Sequence, residues 1–457
     1  MKTSKTTLNL TQGRPLILIL LFAIPVFLGN LFQIFYNLVD TKIVGSILGE
    51  DALAAVGAVS SLYTLLTGFF NGLSLGFSVI TSRYFGCGDE KGLKRNVAGS
   101  ILLGFVTATG IIVAVALFLK PIINLLNVPN KQLDMAHTYI CILVWGMFIT
   151  FTYNLCANML RAIGDSFTPL IFLVVASVLN VILDYTFILG LNMGVKGAAV
   201  ATVLSQMVSV VLCLIRIYTS FPILHISKSD FKLTRSQIFA MYESGLSMGL
   251  MTSIVNFGTL VLQSGINQLG TNIIVAHTSA RKVFDIWALP VSVLGASMAT
   301  YCGQNYGAGK YDRIRKGMKD ALILGSIWIA IVFVLAHTVS PYLIAFLAST
   351  KNEEIIYWGA TYLKVDMSFL IIVVFIVILR NSMQGFGDYR TPIISSFIEL
   401  AGKLVFTFVF VRLFGYWGII WTEPVIWALM VIPLIVMTLR NPIWRSEKQD
   451  DNREESV

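Results

Sequence analysis

The sequence predicts an all-α integral membrane fold of twelve transmembrane helices arranged as two pseudo-symmetric six-helix lobes. Three observations predict it: a chain poor in charge, twelve long apolar runs, and an internal repeat of about 222 residues.

Of the 457 residues, 56% are hydrophobic and only 12% are charged, and the mean hydropathy is +0.78. Soluble chains average roughly 25% charged residues, so this one has about half the polar surface that a water-facing globule needs. Lipid is therefore the expected solvent. The net charge of +9 comes from short basic clusters between apolar runs, which is a topology signal and not the stripe of a nucleic-acid binder. Five cysteines and four histidines are scattered without CxxC or metal-ligand spacing, so free thiols and packing residues are expected, with no disulfide framework and no cofactor.

A bilayer core takes roughly 20 apolar residues per helix. Runs that meet this requirement fall near 15–46, 52–82, 96–119, 135–160, 166–190, 195–219, 238–269, 274–303, 318–340, 355–383, 391–413 and 416–439. The first run follows N-terminal lysines as a signal peptide would, but it continues past Pro25 without a small-residue cleavage site, so a retained helix is expected. Pro25, Pro290, Pro424 and Pro433 lie inside runs and mark candidate kinks.

Basic residues separate the two sides. Arg83, Lys91, Lys94 and Arg95, then Lys228, Lys232 and Arg235, then Lys310, Arg313, Arg315, Lys316 and Lys319, and finally Arg440, Arg445 and Lys448 all fall on one side. The opposite loops hold only Lys42, Lys120, Lys131, Lys196, Lys351 and Arg412. A multi-pass plasma-membrane protein with both termini cytoplasmic follows.

The repeat organises these spans. Asn158-Met-Leu-Arg-Ala-Ile-Gly-Asp-Ser-Phe-Thr-Pro169 recurs as Asn381-Ser-Met-Gln-Gly-Phe-Gly-Asp-Tyr-Arg-Thr-Pro392, five identities in twelve positions at an offset of 223. A second echo, at offset 221, pairs Tyr84-Phe-Gly-Cys-Gly88 with Asn305-Tyr-Gly-Ala-Gly309. Six spans per copy make the copies parallel, an arrangement found among secondary transporters. The expected division is an N-lobe over 1–219, a polar linker over 220–236, a C-lobe over 237–440 and a cytoplasmic tail over 441–457.

A charged group at mid-bilayer costs about 2.5–3.5 kcal/mol, so each one within a span needs a reason. Asp40 ends Gln33-Ile-Phe-Tyr-Asn-Leu-Val-Asp40, with Tyr36 and Asn37 one turn back; Asp184 has Asn180 one turn back on the fifth span. Both aspartates come late in spans that rise from the cytoplasm, so they are expected at similar depth. Two desolvated carboxylates that repel when both are ionised meet the requirement for proton coupling. With Asn180 and Thr202 supplying neutral oxygens, Asp40, Asn180, Asp184 and Thr202 also form a hard-cation set suited to Na+.

The second half lacks this equipment: Asp184 maps to Thr407, Asn180 to Lys403, and the Asp40 position falls near Gln263. Glu399 with Lys403, and Arg281 with Asp285, are spaced four apart and expected to neutralise each other. Asp366 and Glu423 lie nearer span ends, where solvation is expected. Gly385-Phe-Gly-Asp388 matches an intramembrane-protease motif, but its repeat copy ends Gly164-Asp165, and a turn before a Thr-Pro helix start accounts for both. Aromatics and methionines suit a pliable cavity for flat apolar ligands.

Over nearly its full length the chain resembles the multidrug and toxic compound extrusion (MATE) family. The resemblance is carried by Ala23-Ile-Pro25, Tyr36-Asn-Leu-Val-Asp40, Val44-Gly45, Ala52-Leu-Ala-Ala-Val-Gly57, Tyr84-Phe-Gly-Cys-Gly-Asp89, Arg161-Ala-Ile-Gly-Asp165 and Val275-Ala-His277, in that order and spacing. It implies a V-shaped pair of six-helix lobes and antiport of organic, often cationic, compounds against H+ or Na+. It also implies ion coupling at Asp40, Asn180 and Asp184, support from Tyr36, Asn154 and Thr202, and bending of the first helix at Pro25. Other branches use a glutamate in the seventh helix, where this chain has Asn256. The partners expected are small organic substrates and the lipid bilayer, with no nucleic acid, for a monomer. The rival readings are a flippase for lipid-linked saccharides, whose extra spans and basic cavity are not evident, and an intramembrane enzyme, for which no HExxH or second protease aspartate is present.

Overall fold

In a computed structural model, residues 7–125 and 128–445 are described. Twelve helices are long and apolar enough to cross a membrane: α1 (Pro15–Leu48), α2 (Glu50–Cys87), α3 (Glu90–Leu117), α4 (Leu133–Ala162), α5 (Phe167–Gly190), α6 (Val195–Ser220), α7 (Arg235–Ile266), α8 (Thr271–Gly307), α9 (Tyr311–Leu347), α10 (Glu353–Phe386), α11 (Arg390–Phe414) and α12 (Tyr416–Arg440). Each coincides with an expected span and most extend beyond it, because polar flanks continue the helix past the apolar run. Pro341, beyond the expected ninth span, therefore lies inside α9 beside the interior prolines Pro25 of α1 and Pro290 of α8. Pro424 sits instead in the first turn of the helical segment Thr422–Arg440, where its missing N–H leaves nothing unsatisfied. Most of the expected tail over 441–457 lies outside the described residues.

The repeat is written into the backbone. Gly88, Gly164, Gly309 and Gly387 all adopt left-handed conformations, with φ of 76°, 93°, 68° and 102°. Each closes its helix with a Schellman pair, such as Asp165 N to Leu160 O at 2.9 Å and Asp388 N to Met383 O at 2.9 Å. Asp165 then accepts from Thr168 N at 3.0 Å and Thr168 Oγ1 at 2.6 Å; Asp388 accepts from Thr391 N and Oγ1 at the same distances. The glycine-aspartate motif is thus a helix start in both copies. Both α5 and α11 also carry a π-helical turn, at Thr186–Gly190 and Phe406–Phe410.

The chain forms two compact units. Among the described residues, unit one takes 7–9 and Leu21–Ser253, and unit two takes Leu10–Leu20 and 254–445. One boundary between them falls inside α7, after Ser253, and the 220–236 segment contains two short turns, Pro222–Leu224 and Lys228–Phe231. Hydrogen bonds from Ser227 close the second turn and hold the Asp230 carboxyl below the usual carboxylate range.

Small residues on α2 explain why the first part of α7 belongs to unit one. A Cβ at Gly72 would lie 2.5 Å from Met248 O, one at Gly76 would lie 2.5 Å from Ser244 O, and Ser244 Oγ donates to Gly76 O at 2.7 Å. Backbones this close gain dispersion and polar contacts that lipid cannot offer. Gly72→Ala is therefore expected to destabilise the chain by about 1–3 kcal/mol, by forcing the helices apart. Gly110→Ala, where the added methyl meets nothing within 4 Å, is expected to leave stability unchanged or raised, and thermal unfolding in detergent compares the two.

Candidate functional site

Within unit one, the late turns of α1 and α5 bring Asp40 and Asp184 together. Their carboxyls lie within hydrogen-bonding reach of each other. Asp184 and Asn180 are completely buried and Thr202 is 7% exposed, although all three sit on membrane helices whose outer faces are apolar. With its amide oriented to satisfy both ends, Asn180 donates to Asp184 Oδ2 at 2.8 Å and accepts from Thr202 N at 3.2 Å. The Tyr36 hydroxyl lies within hydrogen-bonding reach of the Thr202 side chain. One oxygen on each aspartate, Asp40 Oδ1 and Asp184 Oδ1, is buried with no hydrogen-bond partner. Such oxygens are costly unless a proton or a cation completes them.

Four expected residues are therefore assembled around Asp40: Asp184, Asn180, Thr202 and Tyr36. Asn37 is not among them; its side chain is exposed, and it contributes only its backbone carbonyl, to Thr41 at 2.7 Å. Asn154 is half-buried on α4 without a side-chain hydrogen bond to this group. Pro25 lies within a helix that continues unbroken to Leu48.

The site is larger than the sequence reading. Tyr63 of α2 and Tyr139 of α4 both stand close enough to Asp40 to feel its charge. The Tyr63 hydroxyl reaches Gln206, Thr150 and Thr67, and Thr150 Oγ1 donates to Gln206 Oε1 at 2.5 Å. Gln206 lies one turn beyond Thr202 on α6. Tyr139 stands 223 positions before Tyr362, but tyrosine alone does not mark either position as polar within an apolar run.

Unit two collects charge of both signs. Lys403 Nζ pairs with Glu399 Oε1 at 2.9 Å and Glu423 Oε1 at 3.3 Å, and Arg281 pairs with Asp285 at 3.1 Å and Glu423 at 4.0 Å. The two i,i+4 pairs are those expected. Asp366 and Glu423, expected to be solvated, are instead 0% and 4% exposed. Glu423 is drawn in by Lys403 and Arg281, and Asp366 lies thirteen residues into α10, beside Tyr362 and far from either helix end. Both Asp366 oxygens are buried without a well-formed hydrogen bond. Among the described residues, no group of three or more His, Cys, Asp or Glu side chains is placed to hold a metal ion.

Comparison with known proteins agrees with this architecture. The MatE family model matches twice, over residues 25–186 and 247–409, one copy in each half. The chain is 26% identical over 413 residues to the probable multidrug resistance protein YpnP of Bacillus subtilis, covering 90% of each. It is 23% identical over 424 residues to the multidrug export protein MepA of Staphylococcus saprophyticus, covering 92% of this chain and 93% of that one. Its fold matches the crystal structure of a MATE protein in the bent conformation with a TM-score of 0.85, 23% identity and full coverage of both chains. A MOP superfamily transporter from Pyrococcus furiosus matches with the same score and identity over 96% of this chain and 99% of that one. Two copies of the family's model on a twelve-helix chain with this fold show that the protein belongs to the MATE family, and so is a membrane transporter and not an enzyme.

Proposed function

We propose that this chain is a secondary active antiporter that exports organic, often cationic, compounds in exchange for H+ or Na+, with the ion held at Asp40 and Asp184. The observation that carries the reading is the pair of buried, unpartnered oxygens on two facing carboxyls. A single proton bridges such a pair and removes its repulsion. A Na+ ion held by Asp40, Asp184 and the neutral oxygens of Asn180 and Thr202 would do the same. Either ion changes what holds the outer end of α1, on which Pro25 precedes Asp40 by about 22 Å of helix. Ion binding then rearranges α1 around Pro25 and weakens the hold on substrate. Each charge moved inward gains about 2.3 kcal/mol per 100 mV, which drives export uphill.

The reading extends to a monomer in the plasma membrane with cytoplasmic termini, and to functional lobes over 1–219 and 237–440 joined by 220–236. The names of YpnP and MepA, a multidrug resistance and a multidrug export protein, support the substrate class. Counterflow of a fluorescent organic cation in proteoliposomes, with pH and sodium gradients imposed separately, tests it. At least one gradient is expected to drive uptake against the dye's own gradient. Failure of both would sink antiport, and movement of lipid-linked saccharide in place of the dye would point to the flippase.

A further inference from the structure

The two units bury their fifth and sixth helices in the same register. On α5, Ala176, Asn180, Asp184 and Ile188 are buried; on α11 the buried residues 223 positions later are Glu399, Lys403, Thr407 and Val411. On α6, Thr202, Ser205, Ser209 and Cys213 are buried; on α12 the residues 221 positions later, Glu423, Ile426, Met430 and Leu434, are buried too. A cross-helix hydrogen bond recurs with donor and acceptor exchanged. Ser209 Oγ donates to Phe172 O at 2.9 Å, and Ser395 Oγ, at the Phe172 position, donates to Met430 O, at the Ser209 position, at 3.3 Å.

This register places Lys403 where unit one has Asn180, Glu423 where it has Thr202, and Thr407 where it has Asp184. The contact from Asn180 to Thr202 in unit one becomes the ion pair from Lys403 to Glu423 in unit two. Lys403 is 2% exposed, its ammonium spans two carboxylates from two helices, and Thr407, one turn further along α11, keeps a buried Oγ1 without a partner. Room for its stem comes from Gly258 of α7, where a Cβ would stand 2.8 Å from Lys403 Cδ.

We infer that Lys403 is a resident cation: its ammonium holds in unit two the position that the coupling ion takes in unit one, and it closes a latent monovalent-cation site formed by Glu399, Glu423 and Thr407. The correspondence with a coupling ion rests on the function proposed above, while the latent site depends on unit two alone. Lys403 is then a specificity-determining residue that confines ion binding to one unit. Without the ammonium, Glu399 keeps Arg380 at 3.9 Å and Glu423 keeps Arg281 at 4.0 Å, and a small cation can enter.

The test uses full-length protein in which Asp40→Asn and Asp184→Asn silence unit one, in detergent with N-methylglucamine as the only bulk cation. Thermal unfolding is followed as NaCl or propylammonium chloride replaces N-methylglucamine chloride at constant ionic strength. The parent with Lys403 intact is expected to show no cation dependence. Adding Lys403→Ala should produce a saturable rise in Tm of about 3–5 °C with Na+ or propylammonium, abolished by adding Glu423→Gln. Lys403→Asn, which installs the residue of unit one, covers a failure of the alanine variant to fold and is read by bound radiolabelled sodium, one ion per chain against none in the parent. A flat response in whichever variant folds, or collapse of both variants even when purified in Na+ or propylammonium, overturns the inference. Full transport by Asp40→Asn and Asp184→Asn would instead overturn the proposed function and leave the latent site standing.

Discussion

Asp184→Asn is expected to abolish ion-driven efflux, down to the level of membranes without the protein, while the chain still inserts and folds. The replacement keeps the shape of the side chain and an oxygen that can accept from the Asn180 amide at the 2.8 Å contact. What it removes is the charge that binds a proton or a cation and the repulsion from Asp40. Since Asp184 Oδ1 has no partner, deleting the charge relieves a desolvation penalty, so Tm should hold or rise. Asp40→Asn should match it, and the double variant should be no worse than either single one, because the two carboxyls act as one site. The measurement is dye efflux from energised cells alongside Tm of the purified proteins. Full efflux in both single variants would refute the mechanism.

The largest effect on stability is expected from Glu399→Ala. Its carboxylate lies 2.9 Å from Lys403 and 3.9 Å from Arg380, all three side chains being at least nine-tenths buried. Alanine leaves Arg380 without a carboxylate and Lys403 with Glu423 alone. Breaking a buried pair from one side costs about 3–5 kcal/mol, since the remaining charge keeps its desolvation penalty. The expected outcome is a steep loss of folded, monodisperse protein and of Tm. Glu399→Leu combined with Lys403→Leu should recover much of that loss, as hydrophobic replacements of whole ion pairs do. Failure of the double change to recover stability would show that the glutamate acts through something other than charge balance.

The twelve helices were legible because a bilayer imposes length and polarity at once, and the repeat because its turns depend on glycines with positive φ that few residues can replace. Asp40, Asp184, Asn180 and Thr202 were legible because polar atoms inside apolar runs are costly and these come in helical spacing. Asn37 shares that spacing yet its side chain is exposed, so helical spacing alone does not place a residue in the site. Tyr63, Tyr139 and Gln206 left no such mark: tyrosine and glutamine are common in membrane helices, and their convergence depends on how α2, α4 and α6 pack. Asp366 and Glu423 were misplaced for a related reason. Asp366 lies in the middle of α10 and not near its end, while Glu423, near the start of α12, is covered by Lys403 and Arg281, which arrive from elsewhere in the chain.

The membership of α1 and α7 carries a consequence for where the chain can be divided. The opening residues of α1 belong to the second unit and the opening residues of α7 to the first, so each half lends the other its leading arm. Cutting today's chain at residues 220–236 would leave the first fragment with its α2 glycines bare. The packing of α7 on α2 therefore makes 220–236 a poor place to divide the chain.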